Sequence, residues 1–240
     1  MARGYPDYQN PVNKVAGRLV DFSAIVVSQL GVSPLDGLGR LAWFDKFHDN
    51  LSAWWIILTH PDTFAVISTD VSEVPPSCAK LTPGLSGGGC GASLFHTSTY
   101  TEPSPTGLEV SMRVNVGDAY ITMGYDLFYN GTHYSMYVQY YALARQIILQ
   151  SAIPDFVIYT LPVSYRTGTW LTIKLVVDWI GQKGVRLLIG DLFFDLSAYA
   201  VRAAPSVFLD SLSIYVGAHG LSAAAIPQYL GHVYFTMDEP

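Results

Sequence analysis

Covalent chemistry needs acids, bases or nucleophiles that meet, and this chain of 240 residues offers few that could. Its four glutamates are Glu73, Glu102, Glu109 and Glu239, and none has an acidic residue two positions away. On a strand, that spacing would put two carboxylates on one face, where one can donate a proton while the other attacks or activates water. Glu109 has Gly107 and Ser111 as its same-face neighbours, while Asp191, which shares parity with Asp195, falls in an expected turn. No acid pair is readable. His48, His60, His96, His133, His219 and His232 include no His-x-His or His-x-x-x-His spacing, so no zinc site is readable either, and each is expected on the surface or in a loop. Gly87 to Gly91 is glycine-rich but lacks the Lys-Ser/Thr and the following helix of a phosphate loop.

The positive chemical feature is tyrosine. Tyr125, Tyr129, Tyr134, Tyr137, Tyr140 and Tyr141 fall within one short stretch. A phenol ring offers a flat apolar face and a hydroxyl at low entropic cost, which suits sugar stacking and protein interfaces alike. Tyr125, Tyr129, Tyr134, Tyr137 and Tyr140 are therefore candidate glycan or interface residues, with packing on a sheet face as the competing role. Cys78 and Cys90 bracket Ala-Lys-Leu-Thr-Pro-Gly-Leu-Ser-Gly-Gly-Gly. They could close as a single disulfide or stand as two separate thiols.

The elements that must position these groups are strands. From Trp170 to Leu196, Leu171, Ile173, Leu175, Val177 and Trp179 fall on one face. Thr172, Lys174 and Asp178 fall on the other, with Val176 the apolar exception, so one face is expected to be buried. A turn near Gly181–Gly184, a returning strand and a Gly190-Asp191 connection make an antiparallel meander. Similar alternation recurs along the chain with turns between, for example at Leu108–Val116, Tyr120–Phe128, Tyr134–Leu143 and Phe208–Val216. Helical periodicity is almost absent. The pattern predicts an all-β, two-layer sandwich or a barrel.

Composition narrows the class. Apolar residues make up 50% and charged residues 13%, against about 25% charged in an average domain. No apolar run reaches the ~20 residues of a spanning helix, and no regular series of barrel strands is evident, so no membrane partner is expected. Burial against other subunits is the better account. The net charge is −6 with no basic run, which argues against nucleic acid. Residues 1–40 differ from the rest. Gly-Tyr-Pro-Asp-Tyr-Gln-Asn-Pro reads as an extended arm, followed by a short helix ending at Gly31 with Pro34 beyond it. Tyr5, Pro6, Tyr8, Pro11, Leu19 and Phe22 are the candidate contacts of an assembly strap, and residues 41–240 form the domain proper.

Several segments, in order, resemble one family. They are Trp43-Phe44-Asp45-Lys46-Phe47 with Leu51 and Trp54, Leu108–Val114, Trp170–Asp178, Leu188–Leu192 and Val233–Thr236. Together they are similar to the concanavalin A-like lectin/glucanase jelly roll, laminin-G-type members included. The resemblance implies a jelly-roll β-sandwich with an extended N-terminal arm. Glucanases of this fold carry Glu-x-Asp-x-Glu on one strand; that motif is absent here, so no enzyme activity is expected. Family members sometimes bind Ca²⁺, for which Asp45, Asp49 and Asn50 could supply oxygens, although turn and cap roles compete. No other cofactor is implied.

The arm and the closing Thr-Met-Asp-Glu-Pro more narrowly resemble virion-associated proteins of tailed phages. That implies a structural or decoration protein on a particle surface, partnered by itself as a homo-oligomer (a trimer among the options) and by other virion proteins. A lectin-like module for cell-surface glycans is the alternative. The first residues show no apolar signal region, so synthesis in a host cytoplasm without a signal peptide is expected.

Overall fold

The computed structural model describes residues 38–48, 50–71, 77–84, 90–98, 104–115, 119–162, 168–221 and 226–240. None of these is helical. The first eight strands are β1 (Arg40–Asp45), β2 (Trp55–Leu58), β3 (Phe64–Ser68), β4 (Cys78–Thr82), β5 (Cys90–Ser98), β6 (Thr106–Arg113), β7 (Ala119–Tyr129) and β8 (Thr132–Tyr141). The next eight are β9 (Gln146–Gln150), β10 (Phe156–Thr160), β11 (Trp170–Asp178), β12 (Lys183–Ile189), β13 (Leu192–Asp195), β14 (Arg202–Pro205), β15 (Ser211–Gly220) and β16 (Gln228–Met237).

They form two antiparallel sheets. The first runs β13-β12-β11-β6-β16-β4-β3, with β1 also on β16. The second runs β10-β9-β8-β7-β15-β5-β2, with β14 also on β8. One core lies between them, where Leu108 and Val110 of β6 and Ile173 and Leu175 of β11 join Ile121 and Met123 of β7 and Ile214 and Val216 of β15. The expected meander is β11-β12-β13 at one end of the first sheet, and Gly190-Asp191 is its two-residue turn. The β7–β8 hairpin closes on Asn130-Gly131, both at positive φ (49° and 73°), as a type I′ turn requires.

Three expectations need correction, and a fourth falls outside the described residues. The second face of β11 is not solvated: Lys174 and Val176 are both fully buried. Glu239 explains the lysine, with Oε1 2.8 Å from Lys174 Nζ and Oε2 2.5 Å from Arg186 Nη2. Thr236 and Met237 of the closing run end β16, and Glu239 beyond them reaches the outer face of the first sheet, where the Thr236 hydroxyl also donates to it. The strand expected from Phe208 starts instead at Ser211, because Val207 to Leu209 form an exposed loop. His96, His133, His219 and His232 lie within strands, and His232 is fully buried in the first sheet, 3.4 Å from Glu109. The arm contacts Tyr5, Pro6, Tyr8, Pro11, Leu19 and Phe22, with the short helix, lie outside the described residues.

Candidate functional site

Alternation along β7 decides which side chains can meet a ligand. Ile121, Met123, Tyr125 and Leu127 point into the core, which leaves Tyr120, Thr122, Gly124, Asp126 and Phe128 on the outer face of the second sheet. Directly paired residues share a face. Outer-face β7 residues therefore meet Tyr137, Gln139 and Tyr141 of β8 on one side, and Tyr215 and His219 of β15 on the other. These strands frame a cavity of about 250 Å³, with Phe95 of β5 and Gln150 of β9 at its margins.

Asp126 is one of its lining residues. His133 Nε2 donates to Oδ1 from 2.6 Å, and the Tyr137 hydroxyl donates to the same oxygen. Across the floor, the Tyr215 hydroxyl lies 2.5 Å from His219 Nε2 and 3.1 Å from Ser93 Oγ. The rings pack as well as bond. Tyr120 is stacked between His219 (4.9 Å) and Tyr141 (4.7 Å), while Tyr137 and Tyr215 meet edge to face at 5.9 Å. Gly124 sits between those two, and a Cβ there would collide with the Met136 carbonyl and the Tyr137 ring. A glycine floor lets the tyrosines close over it.

Burial sets the protonation of these phenols. It raises Tyr137 well above the ordinary tyrosine range, reinforced by the Asp126 charge. It pushes Tyr215 up to about 12, opposed by the hydrogen bond with Ser93. Tyr120 and Tyr141 are raised chiefly by the same cause. All four stay neutral at physiological pH and can both donate and accept.

A stability consequence follows, with a definite sign. The folded values exceed the ~10 of an unfolded tyrosine, so the stabilisation is fully present below that pH and is lost as the pH climbs through the folded values. Denaturant midpoints should fall above about pH 10, and less steeply in a Tyr137→Phe, Tyr215→Phe double variant. Native tyrosinate absorbance reaching its full amplitude near pH 10 would contradict this assignment.

Of the tyrosines singled out by sequence, Tyr137 lines the cavity. Tyr125 and Tyr140 are buried in the core, because they occupy inward positions of β7 and β8. Tyr129 and Tyr134 are half-buried against it near the Asn130-Gly131 turn. Sequence reasoning missed Tyr120, Asp126, Tyr215, His219 and Phe95. The available signal was parity, since Tyr120 and Asp126 share one β7 face, and Tyr215 and His219 share one β15 face.

The other candidate residues that are described have partners of their own. Asp45 accepts from the Phe47 amide (2.6 Å) and the Trp54 indole (2.7 Å), and Asn50 Oδ1 accepts from the Ser52 amide (2.8 Å). Asp49 lies outside the described residues. Cys78 is a buried free thiol pushed up to about 11 by burial, directed at the Ser68 and Val71 carbonyls. The Cys90 side chain is outside the described set.

No family model and no curated protein matches this sequence. Solved structures do. An endo-β-1,3-glucanase from Pyrococcus furiosus is 11% identical, with 85% of this chain and 97% of that one covered and a TM-score of 0.54. The laminarinase catalytic domain from Thermotoga maritima is 9% identical, with 84% and 99% covered and a TM-score of 0.53. A cellulose-induced protein, Cip1, is 12% identical, with 81% and 96% covered and a TM-score of 0.50. At such identities the likeness is one of fold, and it agrees with the strand pattern: this chain has the concanavalin A-like, glucanase-type jelly-roll fold.

Proposed function

We propose that this protein is a binding module that holds a neutral glycan on the outer face of its second sheet and does not cleave it. The carrying observation is the lining of the cavity: Tyr120, Tyr137, Tyr215 and Phe95 with the amides of Gln139 and Gln150. Aromatic faces suit the C–H faces of a pyranose, and neutral phenols and amides suit its hydroxyls. No lysine or arginine is among the described lining residues, which favours uncharged sugars. Glycoside hydrolysis uses two carboxylates about 5–9.5 Å apart. Asp126 is the single carboxylate among the described lining residues, and its Oδ1 is engaged by His133 and Tyr137.

β-Glucans are the first probes, given what the two similar enzymes are named for. A glycan array followed by titration should return a neutral glycan hit that Tyr215→Ala weakens about tenfold or more, with no release of reducing ends. An empty array would remove the reading. Sustained release of reducing ends would remove its non-catalytic half.

The particle-surface role rests on a different observation. Phe64 and Val66 on edge strand β3 and the tip Val207-Phe208-Leu209 are exposed, on a chain with few charges. We propose that such surfaces, with residues 1–37, join sister copies and other proteins of a phage particle, whose surface the glycan site would serve. A monomer in light scattering, unchanged on removing residues 1–37, would sink this part.

A further inference from the structure

The aromatic surface does not end at the cavity wall. Ladder pairing links Trp55 to Phe95, Phe95 to Tyr215, Tyr215 to Gly124, Gly124 to Tyr137 and Tyr137 to Gln150. Directly paired residues of antiparallel strands point to the same face, so these six form one straight row across β2, β5, β15, β7, β8 and β9. At about 4.8 Å per strand the row spans about 24 Å. Trp55 is its outermost member, and 74% of it is exposed, whereas the preceding Trp54 is buried in the core. A large indole left in water on the same face and row as the cavity calls for an explanation other than packing.

We infer that Trp55 is the stacking platform of an outer subsite, and that the ligand is a linear neutral glycan of about five units laid across the strands. The inference rests on the glycan-binding reading and specifies its ligand. One strand spacing is close to the length of a pyranose in an extended chain, so successive sugars meet successive members of the row. Rings stand at Trp55, Phe95, Tyr215 and Tyr137, and an amide stands at Gln150. Gly124 is buried beneath the Tyr137 ring, so Tyr137 and Tyr215 meet over it and form one continuous aromatic stretch of the row. None of the six is charged, so an extended uncharged chain matches the row along its whole length.

Oligosaccharide ladders from dimer to octamer, of β-1,3- and of β-1,4-glucan, test this by titration against the intact protein. Wild-type affinity for one ladder should climb with length and level off near the pentamer. Trp55→Ala should leave dimer and trimer binding unchanged and weaken the pentamer about tenfold, with Trp55→Phe restoring most of it. Tyr215→Ala should weaken every length. Equal loss at all lengths in Trp55→Ala, or none at the pentamer, overturns the subsite while leaving the cavity reading intact. So does a Trp55→Ala protein that only changes its oligomeric state in light scattering. A wild type that binds no member of either ladder overturns the subsite together with the β-glucan form of the reading beneath it.

Discussion

Glu239→Ala is expected to destabilise the protein by about 3–5 kcal/mol, the range for stripping one partner from a buried ion pair. The Glu239 carboxylate is wholly buried, between a Lys174 ammonium with no exposed side-chain surface and an Arg186 guanidinium with almost none. The Thr236 hydroxyl, which also lies 3.2 Å from the Gly107 carbonyl, donates to the carboxylate as well. Removing the carboxylate leaves two buried cations facing each other's charge. The closing residues are tied to β12 by a further bond, in which Arg186 Nη1 donates to the Pro240 carbonyl (2.7 Å). The variant should show a large fall in the urea midpoint with little change in slope. Replacing all three charges, as Lys174→Met, Arg186→Met and Glu239→Met together, should recover much of the loss, because exchanging a whole buried ion cluster for apolar groups is often neutral. A loss under about 1 kcal/mol for Glu239→Ala would mean that the contact is not formed in solution.

Tyr125→Ala and Tyr137→Ala, drawn from one cluster in the sequence, are expected to fail in different ways. Tyr125 is fully buried, meets Trp179 edge-on at 5.5 Å and donates its hydroxyl to the Leu175 carbonyl across the core (3.2 Å). Losing a core aromatic should cost about 3–5 kcal/mol, while Tyr125→Phe should cost only about 1 kcal/mol for the hydrogen bond. Tyr137 lies on the opposite face, over Gly124 and against Asp126. Its truncation should leave a folded protein whose glycan affinity drops more than about tenfold. Circular dichroism on melting, with glycan titration of whatever stays folded, separates the two. If Tyr125→Ala binds normally and Tyr137→Ala unfolds, the assignment of faces is inverted.

That contrast also marks what the sequence made legible. Alternation at Leu171, Ile173 and Leu175 locates a core-facing strand without any knowledge of its neighbours, because burial is a property of one strand and one period. The two-layer fold follows from repeating that reading. The cavity does not, because it is assembled from β5, β7, β8, β9 and β15, and only register says which of their residues align. Tyrosines taken together by nearness in sequence were split by the sheet into inward and outward sets. Tyr215 and Asp126 lay in separate stretches that nothing local connects. Glu239 is a further case: its partner Arg186 is 53 residues away, and no periodicity could announce the pair. The Glu-x-Asp-x-Glu spacing, by contrast, can be looked for in the sequence alone, because it concerns neighbours along one strand.

The most direct test is to map where a bound glycan protects the chain, by amide hydrogen exchange with and without saturating β-glucan pentamer. Slower exchange confined to β2, β5, β7, β8, β9 and β15, with β6, β11 and β12 unaffected, is the expected result. Protection on the first sheet, or none on the strands that carry Tyr137 and Tyr215, would contradict it.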